Sequence, residues 1–78
     1  MVYCKLVKRT KYKALYRYGG TYEDMSGLIL IDAKKEAFAI IRKARNSITL
    51  ISHIRSLYNK YRDDFKRGIF RRQIAYEI

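Results

Sequence analysis

The sequence contains no proline, and it has one cysteine and one histidine among 78 residues. Without proline, its turns must be made by glycine, asparagine, aspartate and serine. A lone Cys4 cannot form a disulfide within the chain, so nothing points to an oxidising compartment. One thiol and one imidazole, far apart in sequence, are too few for a metal site built from the usual ligands. We expect no disulfide framework, no metal and no cofactor.

Long apolar runs are also missing. No segment approaches the roughly 20 apolar residues of a transmembrane helix, and the first residues, MVYCKLVKRT, lack the apolar core of a signal peptide. We therefore expect a cytoplasmic protein. A chain of this length predicts one domain, residues 1–78, whose core is small because such a domain buries only about 60% of its unfolded surface.

Acidic residues are scarce. Seven Asp and Glu stand against 18 Lys and Arg, which gives a formal net charge of +11. The excess is spread along the chain: residues 1–18 carry six bases and no acid, residues 34–45 five bases and one acid, and residues 55–72 seven bases and two acids. Such a surface attracts polyanions such as nucleic acid, anionic lipid or an acidic protein.

The clearest local pattern predicts an amphipathic helix at about residues 47–67. Ile51, Ile54, Tyr58, Tyr61 and Phe65 recur at spacings of three and four, the period of one helix face.

The two ends of this helix carry recognisable signals. Asn46 or Ser47 is suited to cap its first turn, and Gly68 follows the last periodic residue, where a left-handed glycine often ends a helix.

Alternating patterns on either side of the helix predict strands. Residues 12–18 place Tyr12, Ala14, Tyr16 and Tyr18 on one face, which favours a strand. The run GLILID, residues 27–32, predicts a central and well-covered strand because it is apolar on both faces.

Two terminal segments alternate as well. Residues 69–78 predict a last strand, and residues 2–7 alternate weakly. We interpret residues 1–9 as either an edge strand or a partly disordered leader.

Residues 33–45 allow two interpretations. Their alanines and isoleucines fit a helix face, and alanine has the highest helix propensity. Alternatively, residues 33–36 form a hairpin turn and residues 37–43 a returning strand, which would give the main helix a third strand to pack on. Both interpretations give an α+β fold in which an antiparallel sheet of three to five strands carries the helix on one face.

The order of these features resembles a group of small uncharacterised bacterial proteins typical of Firmicutes. The resemblance rests on GLILID, a Lys-rich turn with Glu36, an Ile-rich segment, a helix with an early His53, and the residues KRGIF before a final aromatic strand. It implies the order β-β-β-α-β, makes residues 37–43 a strand, and brings no known function. Members of the group are neutral or acidic, so the charge of +11 is a departure.

The residues do not predict an enzyme. A hydrolytic or transfer enzyme needs a nucleophile, a base and an orienting group that meet. His53 is predicted at the margin of the apolar helix face, and the nearby Ser52 and Ser56 point in other directions. Asp63 and Asp64 are neighbours on one helix and not a facing carboxylate pair.

Basic residues interleaved with aromatic ones predict instead a small binding module with affinity for nucleic acid. Lysine and arginine would contact phosphates, while Tyr16, Tyr18 or Tyr22 would stack on bases. The predicted contact residues are Lys11, Lys13, Arg17, Arg55, Asn59, Arg62, Lys66, Arg71 and Arg72.

The alternative function is a protein-interaction module, either a homodimer or the partner of an acidic protein, with no nucleic-acid role. A solvated basic helix face without a function is also consistent with the pattern. The sequence does not show whether the positive charge forms one patch.

Overall fold

The architecture is a five-stranded antiparallel sheet with one helix, as seen in a computed structural model that describes residues 1–21, 23–45 and 51–77. Along the chain the elements are β1 (Val2–Arg9), β2 (Lys13–Gly19), β3 (Gly27–Asp32), β4 (Ala37–Arg42), α1 (Ile51–Lys66) and β5 (Gln73–Tyr76). Across the sheet the strands lie in the order β4-β3-β2-β1-β5. The expected α+β class is confirmed.

The segment before the helix contains four strands and not the three that were expected. β1 is neither a disordered leader nor an edge strand, because it pairs with β2 on one side and with β5 on the other. Residues 33–45 adopt the hairpin interpretation: residues 33–36 form a turn, and β4 returns beside β3. Hydrogen bonds to β3 therefore outweigh the helix propensity of the alanines.

The sheet has two unlike faces. The helix face, on which α1 packs, carries the buried Cys4, Ala14, Tyr16, Ile29 and Ile31. The residues between them along the same strands are half-buried or exposed and form what we call the open face. β3 is therefore an interior strand as expected, but α1 covers one of its faces only.

The apolar stripe of α1 fills the core. Ile54, Leu57, Tyr58 and Phe65 are buried, and the Tyr58 ring lies 5.6 Å from the ring of Phe38 on β4. Ile51, which the periodicity placed in this stripe, is 52% exposed.

The helix ends as its sequence predicts. Gly68 has a φ of 75°, its N–H donates to the Phe65 carbonyl at 3.0 Å, and the Ile69 N–H donates to the Asp64 carbonyl at 2.8 Å. These two bonds form a Schellman motif. The predicted start, including the capping residues Asn46 and Ser47, lies outside the described residues.

Two β-bulges break the regular pairing. In β1, Leu6 lies opposite Tyr16 and Lys8 opposite Leu15, so Val7 is an extra residue. In β4, Ile40 lies opposite Ile29 and Arg42 opposite Leu28, so Ile41 is extra. Each bulge changes which face the following residue occupies, because side chains along a strand alternate with period two.

Candidate nucleic-acid interface

The nine predicted contact residues fall on two sides of the sheet. Lys13 and Arg17 belong to β2 and lie on the open face, where they alternate with buried core residues. The helical row lies on the exposed side of α1, across the sheet from them. This row consists of Arg55, Asn59, Arg62 and Lys66. One short stretch of nucleic acid cannot contact both sides.

The helical row is partly neutralised. Glu36, in the turn before β4, accepts from Lys66 Nζ at 2.9 Å and lies 3.6 Å from Arg62 Nη2. The hydrogen bond from Lys66, together with its charge, lowers the pKa of the Glu36 carboxyl. Arg55 and Asn59 complete this row as exposed side chains.

The two arginines before β5, Arg71 and Arg72, have different surroundings. Arg71 is held by Asp64 of α1, with Nε 2.9 Å from the carboxylate. Arg72 lies beside Lys5 and Gln73 and lines a shallow depression of ≈ 450 Å³ with them. Arg72 therefore extends the basic surface of β1, while Arg71 belongs to the helix side.

Lys11 lies in the turn between β1 and β2 and not on β2 itself. Its ammonium lies 5.4 Å from the centre of the Tyr12 ring, and the Lys34 ammonium lies 5.9 Å from the same ring. Tyr12 lies in the same turn and is 47% exposed, which corrects its expected place on one face of β2 with Ala14, Tyr16 and Tyr18. Two cations beside one aromatic ring make this turn a separate basic corner.

The open face carries basic residues that the sequence did not single out. Lys5 lies opposite Arg17 in register, Lys8 lies opposite Leu15, and Arg42 lies opposite Leu28. Together with Lys13 they form what we call the basic set of the open face. Its members are Lys5, Lys8, Lys13, Arg17 and Arg42.

The two bulges explain why Lys8 and Arg42 were missed, whereas Lys5 precedes the bulge in β1 and was missed because residues 1–9 were not assigned as an interior strand. Simple alternation from Leu6 puts Lys8 on the helix face, and simple alternation from Ile40 does the same for Arg42. The extra residues Val7 and Ile41 reverse both assignments. The apolar Val7 and Ile41, 45% and 57% exposed, were the available signals.

Aliphatic side chains occupy the middle of the open face. Leu15, Leu30 and Ala39 lie side by side across three strands, and Leu28 follows Leu30 along β3. The three leucines are half-buried, although α1 packs on the other face. A shallow depression of ≈ 240 Å³ between Lys8, Lys13, Leu15 and Leu30 joins this centre to the basic set.

Acidic groups on the open face are few. Asp32 lies opposite Lys13 at one corner, and its carboxylate accepts a hydrogen bond from the Lys35 backbone N–H at 3.0 Å. Glu77, just after β5, lies beside Tyr3 of the same face, and the Tyr3 hydroxyl donates to its Oε1 at 3.3 Å. The remaining described acids lie in the loop before β3, in the turn before β4 or on α1. These are Glu23, Asp24, Glu36, Asp63 and Asp64.

Two of the three tyrosines expected to stack on bases, Tyr16 and Tyr18, do not lie at the surface. Tyr16 is fully buried and Tyr18 is 2% exposed, because both point toward α1. Period-two spacing correctly grouped them on one face but did not show that this face is the covered one. Tyr22 lies outside the described residues.

The side chains considered for catalysis or metal binding, among them Cys4 and His53, do not form a cluster. Cys4 is buried, and burial raises the pKa of its thiol to about 12, so it is an unreactive core residue. His53 is half-buried on α1, at the margin of the apolar stripe as predicted. Within residues 1–21, 23–45 and 51–77, no three His, Cys, Asp or Glu side chains gather as metal ligands would.

The described part of the chain has no helix that is long and apolar enough to cross a membrane. No known family model matches the chain, and no curated protein or solved structure does so either. These comparisons therefore give no support to the resemblance to the Firmicutes group, and a function has to be inferred from the residues themselves.

Proposed function

We propose that this protein is a non-enzymatic binding module for nucleic acid that contacts phosphates through the open face. The observation that carries the proposal is the basic set: three strands place five lysine and arginine side chains on one sheet face. Lys5 and Arg17 lie directly opposite each other, which places side chains about 5 Å apart, and Lys8 and Lys13 are diagonal neighbours at roughly 7–8 Å. The positive potentials of these four side chains therefore add. A surface of this kind attracts a polyanion before any specific contact forms.

The net charge supports the same conclusion. The net charge of +11 already subtracts seven acids from 18 bases, so ion pairs within the chain change where this charge is compensated and not its total. Among the described residues, ion pairs are seen at Arg62, Lys66 and Arg71. Those ion pairs lie on the helix side of the sheet, where Arg62 and Lys66 share Glu36 and Arg71 contacts Asp64. The helical row therefore has less uncompensated positive charge than its number of basic residues suggests, so we rank it as the second candidate surface.

Salt dependence tests the proposal directly. Binding of a fluorescently labelled oligonucleotide is measured by anisotropy at several salt concentrations. Contacts to phosphates release counterions, so the logarithm of the affinity falls linearly with the logarithm of salt, by roughly 0.7 to 0.9 per phosphate contact. Affinity that does not change with salt, or binding seen only far below physiological ionic strength, contradicts the proposal.

A matched pair of variants locates the surface. The double variant Lys13→Gln/Arg17→Gln removes two charges from the open face. The control Arg55→Gln/Arg67→Gln removes two exposed charges, one on α1 and one in the turn directly after it. We expect the first variant to reduce the salt slope by about 1.5 and the control to change it much less. Equal losses would favour general attraction, and a larger loss in the control would move the site to the helical row.

A second candidate, a protein-interaction module, is favoured by the half-buried leucines of the open face, which α1 does not cover. Sedimentation of the free protein tests the homodimer form of this candidate. A stable dimer, without oligonucleotide, whose formation is abolished by Leu30→Thr would support it. If the protein is a monomer at all concentrations, the homodimer is excluded and the partner would have to be a different protein.

A further inference from the structure

We propose that the open face selects single-stranded nucleic acid, with phosphates along β1 and β2 and bases lying over the leucines of β2 and β3. This inference rests on the proposed function and adds the class of nucleic acid and its orientation. It follows from an asymmetry of the open face that net charge alone does not reveal.

The open face is divided lengthwise. Four members of the basic set, Lys5, Lys8, Lys13 and Arg17, lie on β1 and β2. The aliphatic members lie toward the other edge: Leu15 on β2, Leu28 and Leu30 on β3, and Ala37 and Ala39 on β4. The far edge also has basic residues: Arg42 on β4, and Lys35 in the turn before β4, which lines a depression with Leu30, Ala37 and Ala39. One side of the face thus suits phosphates, and the other suits flat apolar groups.

A single strand has this same division. Its phosphates run along one side, and its unpaired bases extend from the other with both ring faces free to contact protein. The bases keep their polar groups at the ring edges, so a base can lie flat on leucine while its edges stay in water. From β1 to β4 the face spans three strand spacings, about 14 Å, which is room for a sugar-phosphate chain and its bases side by side.

A duplex does not match the division. Its bases are reached only through the grooves, and the major groove, about 12 Å wide, admits a helix or a two-stranded ribbon. Five strands span four spacings, about 19 Å, and cannot enter it. A duplex would therefore contact the basic set with its phosphates and leave Leu28 and Leu30 in water.

Other occupants fit less well. A second copy placed face to face would bring two basic sets together, and each chain has a charge of +11. An extended acidic peptide would lay its backbone N–H and C=O groups over leucines, where the strands' own groups are already paired within the sheet. A single strand has no such backbone to satisfy.

The experiment compares one labelled single-stranded oligonucleotide of mixed sequence with its duplex, using anisotropy at matched salt. We expect the single strand to bind at least tenfold more tightly and to show a salt slope of about −3, the value for four phosphate contacts on a single strand. Equal affinities, or a preference for the duplex, overturn this inference while leaving the proposed function in place. Absence of binding to either probe overturns both.

Variants of the aliphatic half provide the second arm. Leu28→Thr/Leu30→Thr removes apolar contact on the open face, and the control Ile69→Thr changes an exposed apolar residue that follows α1. We expect the double variant to bind the single strand about fivefold more weakly, from lost apolar contact, with duplex binding unchanged. The control is expected to bind both as the unmodified protein does. Equal loss for both probes overturns the inference.

A direct measurement covers the case in which the double variant does not fold. In the unmodified protein, methyl resonances of Leu28 and Leu30 are followed during titration with each probe. Shifts with the single strand but not with the duplex support the inference, and shifts with neither overturn it. Tighter binding of an acidic amphipathic peptide at these methyl groups also overturns it and identifies the site as one for a protein.

Discussion

The Tyr16 hydroxyl, from the middle of β2, donates a 2.8 Å hydrogen bond to the Arg71 carbonyl oxygen across the core. Arg71 precedes β5, so this single bond ties the chain that leaves α1 to an interior strand. Burial raises the pKa of the Tyr16 phenol above its ordinary value, so the hydroxyl stays protonated and donates at neutral pH.

Replacement of Tyr16 by Phe removes this donor and leaves the ring in place. We expect a loss of about 1 kcal/mol in the free energy of unfolding, typical of one hydrogen bond plus an unsatisfied acceptor. Urea denaturation followed by circular dichroism measures it. Tyr12→Phe, at an exposed position, is the control and is expected to change stability little. An unchanged midpoint for Tyr16→Phe would show that the bond contributes nothing.

Gly68→Ala tests the end of α1. With a φ of 75°, alanine at this position would be strained, although the added methyl group would meet the Lys11 carbonyl only at an ordinary 3.7 Å. We expect a loss of about 1 kcal/mol from the backbone alone. Gly20→Ala is the control, because Gly68 is the one described glycine with a positive φ. Equal effects of the two variants in thermal unfolding would contradict this explanation.

The Glu36 contact with Lys66 predicts a pH dependence. Because the pKa of Glu36 is lower in the folded chain than its ordinary value, its ionised form stabilises the fold above the unfolded pKa. This contribution is lost as the pH falls through the folded pKa. We expect Glu36→Gln to be less stable than the unmodified protein at pH 7. The difference should shrink once the pH falls below the ordinary glutamate pKa of about 4.3 and vanish below the lowered pKa of Glu36 in the folded chain.

Denaturation at several pH values measures the difference, with Glu23→Gln in the loop before β3 as the control. Both variants remove one negative charge from a protein of charge +11, so a general charge effect would affect both equally. A stability difference that persists at low pH would contradict the role of the Glu36 carboxylate.

Cys4 is expected to resist thiol reagents in the folded protein. The side chain is fully buried on β1 and its thiol has a pKa of about 12, so both access and the thiolate population are low at pH 8. Labelling with a chromogenic disulfide should be slow in buffer and fast in urea. Rapid labelling of the native protein would show that β1 opens readily.

Periodicity predicted those parts of the fold in which one face is plainly apolar. It found β2, β3, the last strand and α1, and Gly68 marked the end of α1 as expected. It did not establish β1 as an interior strand, because the extra Val7 interrupts the alternation. It left residues 33–45 open, since alanine favours a helix locally while the unpaired edge of β3 favours a strand.

The candidate site was predictable only in part. Lys13 and Arg17 were correctly placed opposite the core residues of β2. The stacking role predicted for Tyr16 and Tyr18 was wrong, because a strand with Tyr on one face and Lys, Leu and Arg on the other does not show which face the helix covers. That choice depends on Phe38, Tyr58 and other distant contacts that only the folded chain brings together.

The bulges also indicate where the chain tolerates deletion of a single residue. Deleting Val7 would leave Leu6 opposite Tyr16 and Lys8 opposite Leu15, and deleting Ile41 would leave Ile40 and Arg42 with their present partners. A chain shortened by one residue at either position would thus keep its core and its open face. Deletion of a residue away from the bulges, such as Ile29, would instead shift the rest of its strand by one position and turn core side chains toward the open face. Val7 and Ile41 are therefore the places where we expect natural or engineered versions to vary in length.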